Sequence, residues 1–206
     1  GHGDVQARCS SGVCRLGCGA GYRDNVAGLD FIRMSQMASW LGRGYGMEEE
    51  QADLLLVANP MHGIGKLCIP ERVLLKAGKL DDAEWAVMQT HAQIGADILS
   101  GDDSELLNMA EEIALTHHEK WNGKGYPNGL KGENIPLTGR LCALSDVFDA
   151  LTSVRPYKKA WSVDEAVDFI KEESGEHFDP TLVELFIKLL PEMVAIKDQY
   201  AEPESD

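Results

Sequence analysis

The sequence predicts an all-α fold, a bundle of helices broken by one long ordered loop. Three observations predict it. Apolar residues recur at helical spacing along most of the chain, no useful length of strand-like alternation is present, and helix start and stop signals punctuate the pattern. Repeats and low-complexity segments are absent.

Each element follows from local signals. A first helix is expected over 29–41, stopped by Gly42 and Gly44. A second begins near Met47, with Glu residues in its first turn where negative charge suits the helix dipole, and continues to about Asn59. Asp81 or Asp82 caps a helix that runs to Leu99 and ends at Gly101. Ser104 caps another, whose later turns span 108–118. Pro136 opens a helix through about Ser153. Ser162, with Glu165 three residues on, makes a capping box for the next. The last helix covers 181–190. Gly63, Gly65 and Pro70 interrupt the chain after the second helix. A longer interruption, WNGKGYPNGLKGENIP from Trp121, is dense in Gly, Asn and Pro and must be an ordered loop. Loops held by helices at both ends are where functional residues collect. The chain thus divides into a flexible leader or linker remnant over 1–22, one domain over 23–190, and an acidic tail over 191–206 that frays.

Composition narrows the function. With 206 residues, 44% hydrophobic and 26% charged, the chain can bury a substantial core. A net charge of −15 argues against a nucleic-acid polymer, which needs a basic groove. Yet between Lys120 and Lys159 the basic residues Lys120, Lys124, Lys131, Arg140, Arg155, Lys158 and Lys159 outnumber Glu133, Asp146 and Asp149. That stretch suits a small anionic ligand. No apolar run has membrane-spanning length. Five cysteines are an odd number, and Cys68 and Cys142 sit in apolar stretches, so a reducing, cytoplasmic compartment fits better than a disulfide framework. Cys9, Cys14 and Cys18, even with His2, match no zinc-binding spacing and read as loose thiols.

The histidines carry the chemistry. His91 falls on the apolar stripe of Val87, Ile94 and Ile98; His117 follows Leu106, Ala110 and Ile113; His118 is in line with Leu107 and Ala114. His62 ends the second helix beyond Leu55 and Asn59, and Asp146 lies among Leu144, Val147, Ala150 and Leu151. Buried without partners, such groups would cost roughly 2–7 kcal/mol each. Any one of them is more often a hydrogen-bonded core residue. Four imidazoles and a carboxylate on buried faces point instead to a divalent cation, for which both are natural ligands.

The order His62–x–x–x–Lys66, His91, His117–His118, Gly125–Tyr126–Pro127 and Asp146 resembles the HD-GYP branch of the HD phosphohydrolase superfamily. The likeness extends through HHEKWNGKGYPNGLKGENIPLTGR, DVFDALTSVRPYKKAW and HFDP, and covers about 23–190. The resemblance implies an HD-domain-like helical bundle holding divalent metal, iron or manganese, and hydrolysing cyclic di-GMP. It implies that His91, His117 and His118 hold one metal, and that His62 and Asp146 hold part of another. Lys66 would stabilise the scissile phosphate, Tyr126 would line the pocket, and Arg155 and Lys158 would contact the ligand's phosphates or guanines.

The chain departs from that pattern at ligand positions. The name-giving His-Asp pair is His62–Gly63, which removes the carboxylate that bridges two metals in the family. Val26 replaces a Glu, Asp30 replaces a His while keeping a possible ligand, and Asn122 stands where Asp is common. The expectation is a degenerate domain, holding one ion rather than two, with hydrolysis weak or absent. It would act by binding cyclic di-GMP or by docking another signalling protein such as a diguanylate cyclase. The alternative is an active metal-dependent phosphodiesterase producing pGpG or GMP.

Overall fold

Capping chemistry sets the helix starts. Asp81 accepts the Glu84 N–H at 2.8 Å while the Glu84 carboxylate accepts the Asp81 N–H at 2.9 Å, and Ser162 and Glu165 repeat the arrangement. The computed structural model describes residues 28–101, 103–154 and 159–201. The helices are α1 Gly28–Tyr45, α2 Glu49–Ala58, α3 Glu71–Leu74, α4 Asp82–Leu99, α5 Glu105–Thr116, α6 Leu137–Thr152, α7 Val163–Glu172, α8 Pro180–Lys188 and α9 Leu190–Gln199. Short 3₁₀ turns cover Asn59–Met61, Ile64–Cys68 and Gly132–Asn134. Among the described residues there is no strand, only an isolated bridge between Ser174 and Phe178. None of these helices is long and apolar enough to cross a membrane.

Helix α1 packs against α2, α6 and α8, and α5 joins that group to α4. Leu41, Leu55, Ile113, Leu141, Leu144, Phe148 and Phe186 fill the centre, with the Phe148 and Phe186 rings 5.0 Å apart. Each such side chain contributes about 1.5–3 kcal/mol by leaving water. A smaller cluster of Ile69, Val73 and Leu74 seals the start of α4.

Four expectations need correction. Gly42 and Gly44 do not stop α1, which runs on to Tyr45; Gly46, with φ +103°, follows it. A Cβ on Gly44 would lie 2.8 Å from Leu189 Cδ1 and one on Gly42 would lie 3.2 Å from Met47 Sδ, so these glycines permit close packing. The segment after Pro191 does not fray at once: it forms α9, with Met193 fully buried. Proline is tolerated there because its missing N–H falls in the first turn. Ile98 is 48% exposed, and the buried face of α4 is His91, Ala92, Gly95, Ala96 and Leu99. Small residues turn inward because Gly95 meets both Ala114 and the Gly65 backbone. Finally, Cys68 is exposed, whereas Cys142 is buried. Cys9, Cys14, Cys18, His2 and the leader over 1–22 lie outside the described residues.

Candidate metal centre

Two helix ends and the middle of α4 deliver the histidines to one place. Beyond α2, the turn Asn59–Met61 bends the chain so that His62 Nδ1 donates to the Asn59 carbonyl at 2.9 Å. The next turn, Ile64–Cys68, presses onto α4; a side chain on Gly65 would collide with the His91 carbonyl, so only glycine permits this approach. His62 is thereby brought beside His117, with ring centroids 5.1 Å apart. Lys66, half-buried in the same turn, is near enough for its charge to act on His117 and His118. At the end of α5, His117 is the C-cap and His118 follows it.

The tautomers are readable from the partners. His91 Nδ1 lies 2.7 Å from the Met88 carbonyl, and His117 Nδ1 lies 2.9 Å from that of Ala114. A carbonyl only accepts, so both Nδ1 atoms carry the ring proton, which in a neutral imidazole leaves Nε2 a lone pair. The two Nε2 atoms face each other at 3.3 Å. Burial, together with the neighbouring imidazoles and Lys66, drives His117 and His118 well below the usual histidine pKa, so both are neutral at pH 7. Two lone pairs so placed can share one cation. Two nitrogens roughly 2.0–2.1 Å from one ion in tetrahedral geometry sit about 3.3 Å apart, a spacing the two Nε2 atoms match. Ligand atoms of His91, His117 and His118 all lie within 4.8 Å of one another. The carbonyl partners supply the outer hydrogen bonds that orient metal-binding histidines. The residues therefore fit a divalent cation.

The loop after His118 closes the site from one side. Tyr126 stacks on His118 with centroids 4.8 Å apart and an interplanar angle of 23°, and its N–H donates to the His118 carbonyl. Gly125 makes this possible, since a side chain there would collide with the backbone of His118, Glu119 and Lys120. Burial and the charge of Asp146 raise the Tyr126 hydroxyl pKa, which keeps it neutral. The buried carboxylate of Glu119 accepts the N–H groups of Asn128 at 2.7 Å and Leu130 at 2.9 Å, fixing the loop from within. Asn122 anchors the outside: its side chain donates to Glu176 and accepts from the Lys124 N–H. Glu119 and Asn122 hold the loop, and sequence reasoning gave neither a role. The only signal for Glu119 was a carboxylate placed just before a loop rich in unpaired backbone donors.

Of the other expected ligands, His62 packs against His117 and Asp30 is engaged by Arg33. Asp146 is half-buried on α6, and its charge acts on Tyr126 and His177. His177, stacked on Phe178, is held down to about 4 by burial and by Lys120. Asp30 pairs with Arg33, which also binds Asp149 at 2.6 Å, Ser153 at 2.9 Å and the Tyr200 carbonyl at 2.8 Å. Burial lifts Asp149 to about 6 against the opposing pull of Arg33. Val26, Arg155 and Lys158 lie outside the described residues.

Comparison with known proteins places this arrangement. The HD domain family matches residues 14–182. A 3′3′-cGAMP-specific phosphodiesterase of Vibrio cholerae is 43% identical over 175 residues, covering 85% of this chain and 34% of that protein. The cyclic di-GMP phosphodiesterase response regulator RpfG of Xanthomonas campestris is 39% identical over 198 residues, covering 96% of this chain and 52% of that protein. The chain therefore spans about half or less of these relatives' length. A crystal structure of a cyclic GMP-AMP-specific phosphodiesterase from V. cholerae shares the fold, with a TM-score of 0.67 at 23% identity over 93% of this chain and 52% of that one.

Proposed function

The chain belongs to the HD domain family, and from that premise we propose that it is a cyclic di-GMP signalling domain of the HD-GYP type whose hydrolysis is weak or absent. The observation that carries this reading is the space beside the histidines. A Cβ on Gly63 would meet nothing nearer than Lys66 Cδ at 3.8 Å, so the site lacks a carboxylate where there is room for one. Asp30, the other candidate replacement, is paired with Arg33. On this reading His91, His117 and His118 hold a single iron or manganese ion, which supplies Lewis-acid polarisation of a phosphodiester when bound. Lys66 stabilises the phosphate charge, Tyr126 lines the pocket, and Arg155 and Lys158 hold phosphates or guanines. The domain then acts by ligand occupancy or by docking a signalling protein such as a diguanylate cyclase. A cytoplasmic setting is part of the same proposal, supported by the free thiols of Cys68 and Cys142.

The names of the relatives favour a second reading, an active phosphodiesterase in which His62 and Asp146 complete a second metal position. Turnover separates the two. Wild type is expected to bind cyclic di-GMP without producing pGpG or GMP, and Arg155→Ala is expected to lose that affinity. Gly63→Asp, alone or with Asp30→His and Val26→Glu, is expected to raise metal occupancy and create phosphodiesterase activity. The backbone at position 63, with φ −93°, accepts a side chain without strain. Wild-type turnover that the restored variants do not improve would establish the active reading instead.

A further inference from the structure

We propose that Trp85 is a stacking surface for one purine base of the bound cyclic dinucleotide, a role that rests on the ligand class argued above. Trp85 is 47% exposed, so part of its indole is open to solvent. The backbone that carries it is well anchored. Its N–H donates to the Asp81 carbonyl at 2.8 Å in the first turn of α4, and the Asp81–Glu84 capping box fixes that turn. Lys76 adds an ion pair to Glu84.

The ring lies beside the histidine cluster, one aromatic contact away. Its centroid is 6.0 Å from that of Tyr126 at an interplanar angle of 84°, and Tyr126 is the ring stacked on His118. Two aromatic side chains, Tyr126 and Trp85, thus lead from the candidate metal ligands toward solvent. Perpendicular contact with Tyr126 can cover at most one face of the indole. A ligand whose phosphate sits at the histidines carries its base outward, and the outermost ring on that path is Trp85. Base–indole stacking tolerates guanine and adenine alike because every base has a π-face. Trp85 would therefore add affinity for purine dinucleotides without choosing between cyclic di-GMP and 3′3′-cGAMP.

The test is calorimetric titration of metal-loaded wild type, Trp85→Ala and Trp85→Phe with each of those two dinucleotides, alongside tryptophan emission. Trp85→Ala should weaken binding roughly 5- to 100-fold, while Trp85→Phe, which keeps a stacking face, should stay within about 3-fold of wild type. Ligand should quench emission in wild type, and the quenching should vanish in Trp85→Phe although binding persists; a purely structural role would not produce that split. Wild-type binding that Trp85→Ala leaves unchanged would overturn the stacking role and leave the proposed function standing. No binding of either dinucleotide by wild type would overturn both.

Discussion

The Arg33 cluster and the histidine cluster both bury polar groups between helices, and they resolve the cost in opposite ways. Arg33 spreads its donors over Asp149, Asp30, Ser153 and the Tyr200 carbonyl, so its charge is matched within the protein. His91 and His117 satisfy one nitrogen each on a carbonyl and aim the other at its counterpart. The first cluster matches charge with charge; the second gathers neutral nitrogens that suit a cation. The lesson is that burial of charge alone does not point to a ligand, whereas converging imidazole nitrogens give a testable candidate for one.

That contrast can be broken by substitution. The largest effect is expected from His117→Ala, which should reduce bound metal from near stoichiometric to background, read by elemental analysis. Arg33→Ala should leave metal content unchanged in the folded protein but destabilise it by about 3–5 kcal/mol in urea unfolding, because it strands the buried Asp149 carboxylate and the half-buried Asp30. Metal loss in Arg33→Ala would mean that Asp30 or Asp149 serves the site after all.

A pH series sharpens the same comparison. Because burial raises Asp149 to about 6, the folded state holds that proton more tightly than the unfolded chain does. The group's contribution is thus fully present below the ordinary aspartate value of 3.8 and is lost as pH rises to about 6. Wild-type stability should fall relative to Asp149→Asn across that window and then level off. A difference that does not change between pH 4 and 6.5 would contradict the assignment. A smaller, local effect is expected from Glu119→Gln, which leaves one of the Asn128 and Leu130 N–H groups without its acceptor. It should cost about 1–3 kcal/mol and speed hydrogen exchange at those two amides.

The parts of the molecule legible in the sequence are those written in local signals. The Asp81–Glu84 and Ser162–Glu165 boxes lie within one helical turn, and the spacing of His117 from Ala110 and Ile113 placed it on a buried face. What was not legible depends on partners far along the chain. Gly44 looks like a stop until Leu189 is seen against it, and Arg33 looks like a surface residue until Asp149, 116 positions away, is seen to bind it. The acidic composition after Pro191 concealed a helix that is anchored by buried Met193. The histidine cluster was expected from apolar helix faces and from the family resemblance; the carbonyl contacts of His91 and His117 Nδ1 that turn their Nε2 atoms toward each other required coordinates.

The most direct test is the metal content of the wild-type chain, purified with iron or manganese supplied and compared with Gly63→Asp. One ion per chain on imidazole nitrogens, rising toward two in Gly63→Asp, is the predicted result. No retained ion would contradict the cation-binding pocket, and two ions in wild type would contradict the loss of the second position.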